Sequence, residues 1–522
     1  MKIKKHLSFT SLRRGLSNIF NAIPDARQQS KTTISLHDGL MSGFAMMYFQ
    51  DPSLLQFQQR MQKDQHRNNL QTFYGVSNIP KATQLRDITD GVDSELLSQA
   101  LKDAYLRLQR GKHLKQFELF PGLYFCPMDG TEYFSSQTIN CNQCLTKTHR
   151  KGFELYVYSE MPLSLPEKSG CCYYLIGEPD DWQLCHVSEG VETAIELSEV
   201  EGLTGLLNNL TLETLFTKKG QKRIKTKLTP YHDKTFGSDI ITYSHSAIQG
   251  GIMHPDMSVV IPFMPEKIAN GDGASKQDCE TNAGKRFVVR TCDDHPQLGL
   301  IFGGDSLYSR QPHIEGILNR QQHYLFVAKP TDHKYLMNYI DEVTLKTKSI
   351  VDDKGNTHLY EWINDVPLNG RKDSIQTNFI RYTVTSEGAK KAKYQSSWVT
   401  DLPLTESNIE IMVRAGRCRW KAENECFNTL KNQGYCLDHN YGHGDKNLCF
   451  NFYLLTLLAF FWHQIFELTD ELYKEARKKF GSKQHLWETL RSYIKIIIFD
   501  TWEALLQFAL DPPEYKYSYQ PP

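Results

Sequence analysis

The chain has 522 residues, of which 40% are hydrophobic and 23% are charged, a composition typical of a globular protein with more than one domain. Its 60 basic and 60 acidic residues cancel, so the net charge identifies no partner, and any nucleic-acid surface must come from local clusters. Twelve cysteines form no evident disulfide framework, and no apolar segment follows the basic start. We therefore expect a cytoplasmic protein of a reducing compartment.

Basic residues cluster in three places along the chain. The first cluster lies within residues 2–14 and the second within residues 218–227. The third surrounds Glu423 and consists of Arg414, Arg417, Arg419, Lys421 and Lys431. A charge run is often only a solvated face, so nucleic-acid contact and a plain surface both stay open for the first two clusters.

Residues 1–118 show helical periodicity and are predicted to form an N-terminal DNA-binding region. A helix at 68–73, a turn at 75–79 and a second helix from 80 resemble a helix-turn-helix. In that arrangement Lys81, Thr83 and Arg86 project toward DNA. Packing alone also produces such helix pairs, and the sequence does not separate the two interpretations. Another helix is predicted at 94–110.

An α/β core is predicted for residues 119–445. Strands at 123–126, 240–248 and 257–263 precede a helix from about 278, and further strands follow at 298–302 and 324–328. Asp129 follows the first strand and Asp305 follows the fourth. In an α/β layer, carboxylates at these two strand ends can meet a residue from a helix laid across the sheet, so one cleft can hold all three.

The two aspartates have other interpretations. Asp129 can form an Asx turn, and Asp305 can cap the helix that begins near Pro312. Asp239, which precedes the second strand, is a second candidate for the first carboxylate. Gly303 and Gly304 leave room directly before Asp305 for another backbone or a phosphate.

Residues 414–431 are predicted to form one amphipathic helix. Arg419, Glu423 and Phe427 share a face that should dock on a core, whereas Glu425 should face water. A carboxylate at the border of a core requires a cation, which is either Arg419 one turn earlier or a metal ion.

Two insertions and a C-terminal region complete the chain. Residues 152–238 have no assigned role; they contain a hairpin at 172–187 and an acidic helix near 192–210. Residues 340–404 are β-rich and contain Trp362 and Trp398. Residues 446–522 are predicted to be helical. The apolar run at 448–466 has nearly the length of a membrane span, but polar residues interrupt it and a buried helix is favoured.

Cys141 and Cys144 form one CxxC pair with His149 nearby. A second pair at the usual spacing is missing from the sequence, so the pattern does not by itself favour zinc. His443, which follows the Glu423 helix, can touch DNA or cap a loop.

Five stretches of the chain resemble, in one order, bacterial insertion-sequence transposases of the DDE superfamily. They are MDGTEYFSS from Met128, VVIPFMPEKI with KQDCETNAGKRF between Val259 and Phe287, GGDSLYSRQPHI from Gly303, YLFVAKPTDH from Tyr324 and RCRWKAENECFNTLKNQGYCLDHNYGHG from Arg417. The resemblance implies an RNase H-like mixed sheet flanked by helices, in which Asp129, Asp305 and Glu423 are the catalytic triad.

That resemblance also implies the chemistry and the partners. The triad would bind Mg²⁺ or Mn²⁺, as two ions, and the protein would cut the ends of a mobile element and join the freed 3′-hydroxyls to target DNA. Double-stranded DNA and a homodimer on paired ends are the implied partners, and no membrane is implied. Arg419 would contact a terminal phosphate, while Gly416 stands where relatives carry Tyr, and Lys431 is one residue later than the usual Lys.

Two further expectations concern DNA contact and alternative functions. Some relatives stack a flipped base on an aromatic residue of the β-rich insertion, a role open to Trp398 or Trp362, although core packing is the usual place for Trp. The alternatives to a transposase are a DNA-binding descendant that no longer cuts and a metal-dependent nuclease without strand transfer.

Overall fold

The computed structural model describes residues 5–51, 53–61, 68–149, 154–158, 172–176, 183–188, 191–196, 226–227, 240–270, 278–389, 391–438 and 441–514. The chain divides into two compact units. The first comprises residues 1–135, 141–145 and 245–522, and the second comprises 136–140 and 146–244. The second unit thus contains the predicted insertion at 152–238.

The described residues form seventeen strands. In chain order they are β1 (Glu118–Phe120), β2 (Leu123–Ser136), β3 (Leu145–His149), β4 (Glu154–Tyr158), β5 (Cys172–Ile176), β6 (Gln183–Ser188), β7 (Val191–Ile195), β8 (Thr226–Lys227), β9 (Ile240–Ile252), β10 (Ile261–Pro262), β11 (Glu266–Ile268), β12 (Gly299–Gly304), β13 (His323–Val327), β14 (Lys346–Val351), β15 (Asn356–Pro367), β16 (Gln376–Ser386) and β17 (Tyr394–Thr400).

A 12-stranded mixed sheet organises the first unit, with the order β10-β9-β2-β12-β13-β17-β16-β15-β14 and with β1, β3 and β11 paired at its sides. The strand β12 runs parallel to β2 on one side and to β13 on the other. The β-rich insertion predicted at 340–404 forms β14 to β17, which continue the same sheet by antiparallel pairing. The predicted mixed α/β class is confirmed.

The α-helices precede, interrupt and follow the sheet. They are Phe9–Ala22, Leu36–Tyr48, Leu54–Met61, Asn69–Tyr74, Ala82–Asp90, Ser94–Arg110, Glu280–Asp294, Gln311–Leu318, Lys334–Glu342, Ile409–Cys418, Asn428–Asn432, Leu448–Thr469, Glu471–Phe480, Lys483–Ile496 and Trp502–Leu510. A π-helical segment, Ala422–Phe427, separates two of them. Short 3₁₀ turns lie at Lys5–Leu7, Gln29–Lys31 and Leu114–Phe117.

The helix Leu448–Thr469 is the centre of the helical core. It is long and apolar enough to cross a membrane by composition, but 94% of its most apolar window is buried inside the protein. Trp462 packs edge-on against Phe44 of Leu36–Tyr48, at 4.7 Å between ring centroids. Asn451 donates hydrogen bonds to the carbonyls of Thr89 and Val92. The helices from the two ends of the chain therefore share one core, and the favoured interpretation of residues 448–466 as a buried helix is confirmed.

The second unit contains a five-stranded sheet of order β7-β6-β5-β4-β8. The predicted hairpin at 172–187 is present as the antiparallel pair β5 and β6. The helix predicted from residue 192 is wrong at its start, because Val191–Ile195 is a strand paired with β6. The β-branched residues Val191, Thr193 and Ile195 alternate along this segment and favour a strand, which pairing with β6 completes.

Candidate active site

Asp129 and Asp305 lie on neighbouring parallel strands. In the pairing of β2 with β12, Pro127 is opposite Gly303. Asp129 stands two residues beyond Pro127 and Asp305 two residues beyond Gly303, so the register brings the two aspartates to the same level of the sheet. The strand β2 continues to Ser136, so the prediction that Asp129 follows a strand end is wrong. Asp129 lies inside a long strand, beside the end of β12.

The carboxylate of Asp129 is largely buried and paired with a guanidinium. Its Oδ2 accepts a hydrogen bond from Arg419 Nη1 at 3.0 Å, and its Oδ1 accepts one from the Gly130 N–H at 2.9 Å. Burial nevertheless raises the pKa of Asp129 to about 6, against the opposing effect of Arg419, and the charges of Glu280 and Asp305 raise it further. Arg419 alone therefore does not offset the burial of this carboxylate.

Glu423 lies on the π-helical segment Ala422–Phe427. The single α-helix predicted over residues 414–431 is thus wrong in detail, since the α-helical geometry ends at Cys418 and resumes at Asn428. One-turn π segments inside α-helices are frequent at functional sites, because they re-aim side chains. The Glu423 side chain is 56% exposed, and its Oε1 accepts a hydrogen bond from Arg419 Nη1 at 3.1 Å.

Arg419 therefore joins two predicted site residues through one nitrogen. Because Asp129 Oδ2 and Glu423 Oε1 both accept from Nη1, these two oxygens lie no further apart than the sum of the two hydrogen-bond distances. The predicted pairing of Glu423 with Arg419 one turn earlier is present as a salt bridge. Glu425, expected to face water, is instead partly buried.

Asp305 is held in a tight loop after β12. Its Oδ1 accepts a hydrogen bond from the Leu307 N–H at 2.8 Å, which makes an Asx turn. Arg310 occupies the N-cap position of the helix Gln311–Leu318, without a side-chain capping bond, so the alternative role of Asp305 as its cap is wrong. The same loop is tied to the segment after β13, since Ser306 donates to Asp332 and Ser309 bonds His333 Nε2 at 2.6 Å.

The glycines before Asp305 make room for side chains. A Cβ at Gly303 would lie 2.4 Å from the Phe125 ring, and one at Gly304 would lie 2.7 Å from the Tyr308 ring. The expectation that this room admits a backbone or a phosphate is therefore wrong. Aromatic packing fills the space and fixes the height of the Asp305 loop.

Glu280 is a site residue that the sequence did not single out. A Cβ on Gly130 would lie 2.9 Å from the Glu280 carboxyl carbon, so Glu280 stands beside Asp129. Tyr308 donates its hydroxyl proton to Glu280 Oε1 at 2.7 Å, and this contact, with burial as the larger cause, raises the pKa of Tyr308 well above its usual range. In the sequence, Glu280 could have been noticed as the last residue of the KQDCE stretch.

Lys421 is a second residue that sequence reasoning misread. Its side chain is buried, and Nζ donates to three carbonyls, those of His254, Pro255 and Met257, at 3.0, 2.8 and 2.6 Å. A buried ammonium is stable only with such partners. Lys421 thus anchors the turn after β9 to the Glu423 segment and is unavailable to DNA.

Two other members of the third basic cluster are also engaged. Arg414 pairs with Asp256. The Arg417 guanidinium lies over the rings of Tyr382 and Tyr394, at 5.6 and 5.0 Å from their centroids. Much of the cluster that surrounds Glu423 therefore serves the fold.

Trp398 is 1% exposed and belongs to the core, so its interpretation as a platform for a flipped base is wrong. A Cβ at Gly416 would lie 2.6 Å from Trp398 Nε1. The indole thus occupies the space that a side chain at position 416 would need, which explains why Gly stands there. Trp362, the other candidate, is 3% exposed.

The remaining predicted DNA contacts are placed as follows. Lys81 is exposed and precedes the helix Ala82–Asp90, so the predicted helix pair is present. Arg86 is partly buried, and its Nε donates to the carbonyl of Tyr441 at 2.7 Å. Lys431 is partly buried on Asn428–Asn432. Asp239, the second candidate for the first carboxylate, lies outside the described residues.

Comparisons with known proteins add one distant structural likeness. No protein-family model matches the chain, and no curated protein matches it. Among solved structures, the piggyBac transposase in a synaptic complex with hairpin DNA is 9% identical, with a TM-score of 0.34, over 98% of this chain and 82% of that one. A TM-score of 0.34 is too low to establish a common fold, so this likeness assigns neither a fold nor an activity.

Proposed function

We propose that the chain is a DDE transposase that cuts DNA at the ends of a mobile element and joins the freed 3′-hydroxyls to target DNA. One observation carries the proposal. Asp129 and Asp305 stand at one level of two parallel strands, and a helical segment more than a hundred residues later brings Glu423 to the same guanidinium as Asp129. Five sequence stretches that resemble such transposases surround these three residues.

The strand order supports an RNase H-like core in this proposal. Counting from β2, the next core strands in the chain are β9, β10, β12 and β13, and they lie in the order β10-β9-β2-β12-β13. The first and fourth of these strands are neighbours, which is what a site built on Asp129 and Asp305 requires. The insertion β14 to β17 extends the sheet beyond β13 and leaves this order intact.

The acidic side chains of the site are of a type that binds divalent metal ions. Carboxylate oxygens are the ligands that Mg²⁺ and Mn²⁺ prefer, and paired ions in such sites lie about 3.5 to 4 Å apart. Burial raises the pKa of Asp129 to about 6 despite the opposing charge of Arg419, and a bound cation would favour its ionised form. We therefore assign Asp129 and Asp305 to hold two Mg²⁺ or Mn²⁺ ions, with Glu423 holding one.

Bound ions would supply a Lewis acid at the scissile phosphate and lower the pKa of the attacking water or hydroxyl. The protein's own groups do the rest. The Asx turn at Leu307 and the Ser306 contact hold the Asp305 carboxylate in place. Arg419, released from the carboxylates, would contact a terminal phosphate. Glu280 and Tyr308 form the wall of the site next to Asp129.

Double-stranded DNA is the proposed partner, bound as terminal inverted repeats and as target. The exposed Lys81, with Lys431, is part of the proposed contact surface. Two copies of the chain would hold paired ends, and the reaction would take place in the bacterial cytoplasm.

A single assay tests the proposal. The purified chain is incubated with labelled DNA that carries the inverted repeats flanking its gene, with Mg²⁺ and with a supercoiled target. Cleavage and joining by the wild type, both lost in Asp305→Ala, are expected. Cleavage without joining would assign a nuclease, and binding without either would assign a DNA-binding relative that no longer cuts.

A further inference from the structure

Four side chains from distant parts of the sequence converge outside the acidic site. Cys141 and Cys144 lie on the loop between β2 and β3, His245 lies on β9, and His443 lies just before the helix Leu448–Thr469. Their ligand atoms all lie within 4.8 Å of one another. We propose that these residues bind one Zn²⁺ ion, independently of the transposase function.

The distances between the ligand atoms lie within about 0.3 Å of those expected around a tetrahedral ion. Bonds of about 2.3 Å to sulfur and about 2.0 Å to nitrogen separate ligand atoms by about 3.3 to 3.8 Å at tetrahedral angles. The two sulfurs are 3.8 Å apart. The Cys144 sulfur lies 3.4 Å from His245 Nε2 and 3.6 Å from His443 Nε2, the Cys141 sulfur lies 3.7 Å from His245 Nε2, and the two Nε2 atoms are 3.0 Å apart.

Backbone contacts fix the positions of the two cysteine sulfurs. The Cys141 N–H points at the Cys144 sulfur at 3.4 Å, and the Cys144 N–H donates to the Cys141 carbonyl at 3.2 Å, so the CxxC turn closes on itself. Asn270 donates to the Cys144 carbonyl at 2.9 Å and fixes this turn from outside. At 3.8 Å the sulfurs are far beyond the bond length of a disulfide, about 2.05 Å.

The two histidines are oriented as metal ligands. His443 Nδ1 donates to the Gly444 carbonyl at 2.6 Å, which leaves the Nε2 lone pair pointing at the cluster. Phe134 packs edge-on against the His443 ring at 4.8 Å, and Tyr133 stacks on the His245 ring at 6.0 Å. These aromatic walls shield the cluster from water and limit ring rotation.

The donor set selects the metal. Two thiolates and two imidazoles prefer Zn²⁺ over Mg²⁺ or Mn²⁺, which take oxygen ligands. Four protein ligands leave no position for substrate, so the ion is structural. A hydrogen bond between the two imidazoles would explain their close approach without metal, but it gives no reason for both sulfurs to converge on the same point.

The ion would hold together three segments of the first unit. Cys144 and His245 are next to the points where the chain leaves for residues 146–244 and returns. His443 precedes the central helix, and Asp90 holds the segment between them by accepting from the N–H groups of Asp445, Lys446, Asn447 and Leu448. Zinc would thus clamp β9 and the loop before β3 to the segment that leads into that helix.

Metal analysis of the full-length chain tests this inference. Mass spectrometry of protein purified without chelators is expected to find one zinc per chain. Cys292→Ser, a change of a half-buried cysteine on Glu280–Asp294, is the matched control and keeps the zinc. The double variant Cys141→Ser with Cys144→Ser is expected to lose it. Metal-free wild type, or a double variant that retains the zinc, would overturn the proposal.

Cobalt substitution keeps the test decisive if the double variant does not fold. Wild type reconstituted with Co²⁺ is expected to show intense visible bands of a tetrahedral ion with thiolate-to-metal charge transfer. His443→Cys is expected to retain one ion with a stronger charge-transfer band, because a third thiolate replaces an imidazole. A weak octahedral spectrum, or an unchanged charge-transfer band in His443→Cys, would exclude these ligands. DNA cleavage is not measured, so failure of the transposase proposal leaves this test unaffected.

Discussion

Arg419 Nη1 lies 3.0 Å from Asp129 Oδ2, although 290 residues separate the two in the sequence. The same nitrogen lies 3.1 Å from Glu423 Oε1. One guanidinium thus holds a carboxylate from β2 together with one from the π-helical segment Ala422–Phe427. In the proposed function, divalent ions take over this role, and Arg419 and the metal compete for the same oxygens.

This competition predicts opposite effects of Arg419→Gln on metal binding and on catalysis. Removal of the positive charge should increase Mn²⁺ affinity about tenfold, which corresponds to about 1.4 kcal/mol, a modest Coulomb term for a partly exposed pair. DNA cleavage should fall, because the proposed phosphate contact is lost. Isothermal titration calorimetry with Mn²⁺ measures the first effect. Arg414→Gln, on the preceding helix, is the control, and equal affinities in both variants would contradict the competition.

The proposed metal ligand Glu423 is distinguished from its neighbour Glu425 by substitution. Loss of one metal ligand should remove several kcal/mol of transition-state stabilisation, so Glu423→Gln should lower cleavage at least about a hundredfold. Glu425→Gln, two residues away on the same segment, should stay within about twofold. The rate at which each variant cleaves labelled DNA ends is measured and compared with that of the wild type. Equal losses in the two variants would assign the effect to the π-helical segment and not to the carboxylate.

Much of the acidic site could be predicted from the sequence. Helical spacing places Arg419 one turn before Glu423, which follows from local periodicity, and the layering of an α/β fold allows carboxylates at strand ends to meet. The π-helical geometry could not be predicted, because one extra residue in a turn leaves hydrophobic spacing almost unchanged. The roles of Arg419 and the aspartates in catalysis stay predictions.

The residues that sequence reasoning misread depend on tertiary partners. Lys421 belongs to a basic cluster in the sequence. In the fold, three carbonyls of a distant turn surround its ammonium. Of the two interpretations of Trp398, a platform for a flipped base is wrong and core packing is confirmed, because Gly416 from a different element packs against the indole. The CxxC pair lacked a visible partner because its histidines are 101 and 299 residues away from Cys144. Predictions from residue spacing consider residues that are close in the sequence, and they therefore miss such long-range contacts.

Gly416 provides a stability prediction with a matched control. Gly416→Ala would bring a Cβ to 2.6 Å from Trp398 Nε1 and should destabilise the fold by about 1 to 3 kcal/mol through overpacking. Gly316 also lies inside a helix, Gln311–Leu318, but a Cβ there meets nothing within 4 Å. Gly316→Ala should therefore be neutral or stabilising by up to about 1 kcal/mol. Denaturant unfolding measures both, and a similar loss in the two variants would exclude crowding at Trp398.

The raised pKa of Asp129 predicts a pH-dependent cost of the site. Its pKa is about 6 in the fold and about 3.8 without it, so ionisation opposes folding. The loss of folding free energy caused by ionised Asp129 is absent below about pH 4, grows as the pH rises to about 6, and reaches its full size above that. Asp129→Asn should then unfold at higher temperature than the wild type at pH 7.5 in EDTA, and at nearly the same temperature at pH 4. Asp353→Asn, in an exposed turn, should show no such pH dependence. If it did, the pH dependence could not be assigned to Asp129.

Lys421 provides the last prediction, because its buried ammonium fixes the turn at His254 to Met257 beneath the Glu423 segment. Lys421→Met keeps the length of the side chain but leaves three carbonyls without their donor, so it should destabilise the fold by about 2 to 5 kcal/mol. Lys431→Met, on Asn428–Asn432, should cost less than about 0.5 kcal/mol. Chemical denaturation of both variants measures the difference. A small loss at Lys421 would mean that water replaces the ammonium at the carbonyls, and that the turn does not depend on this contact.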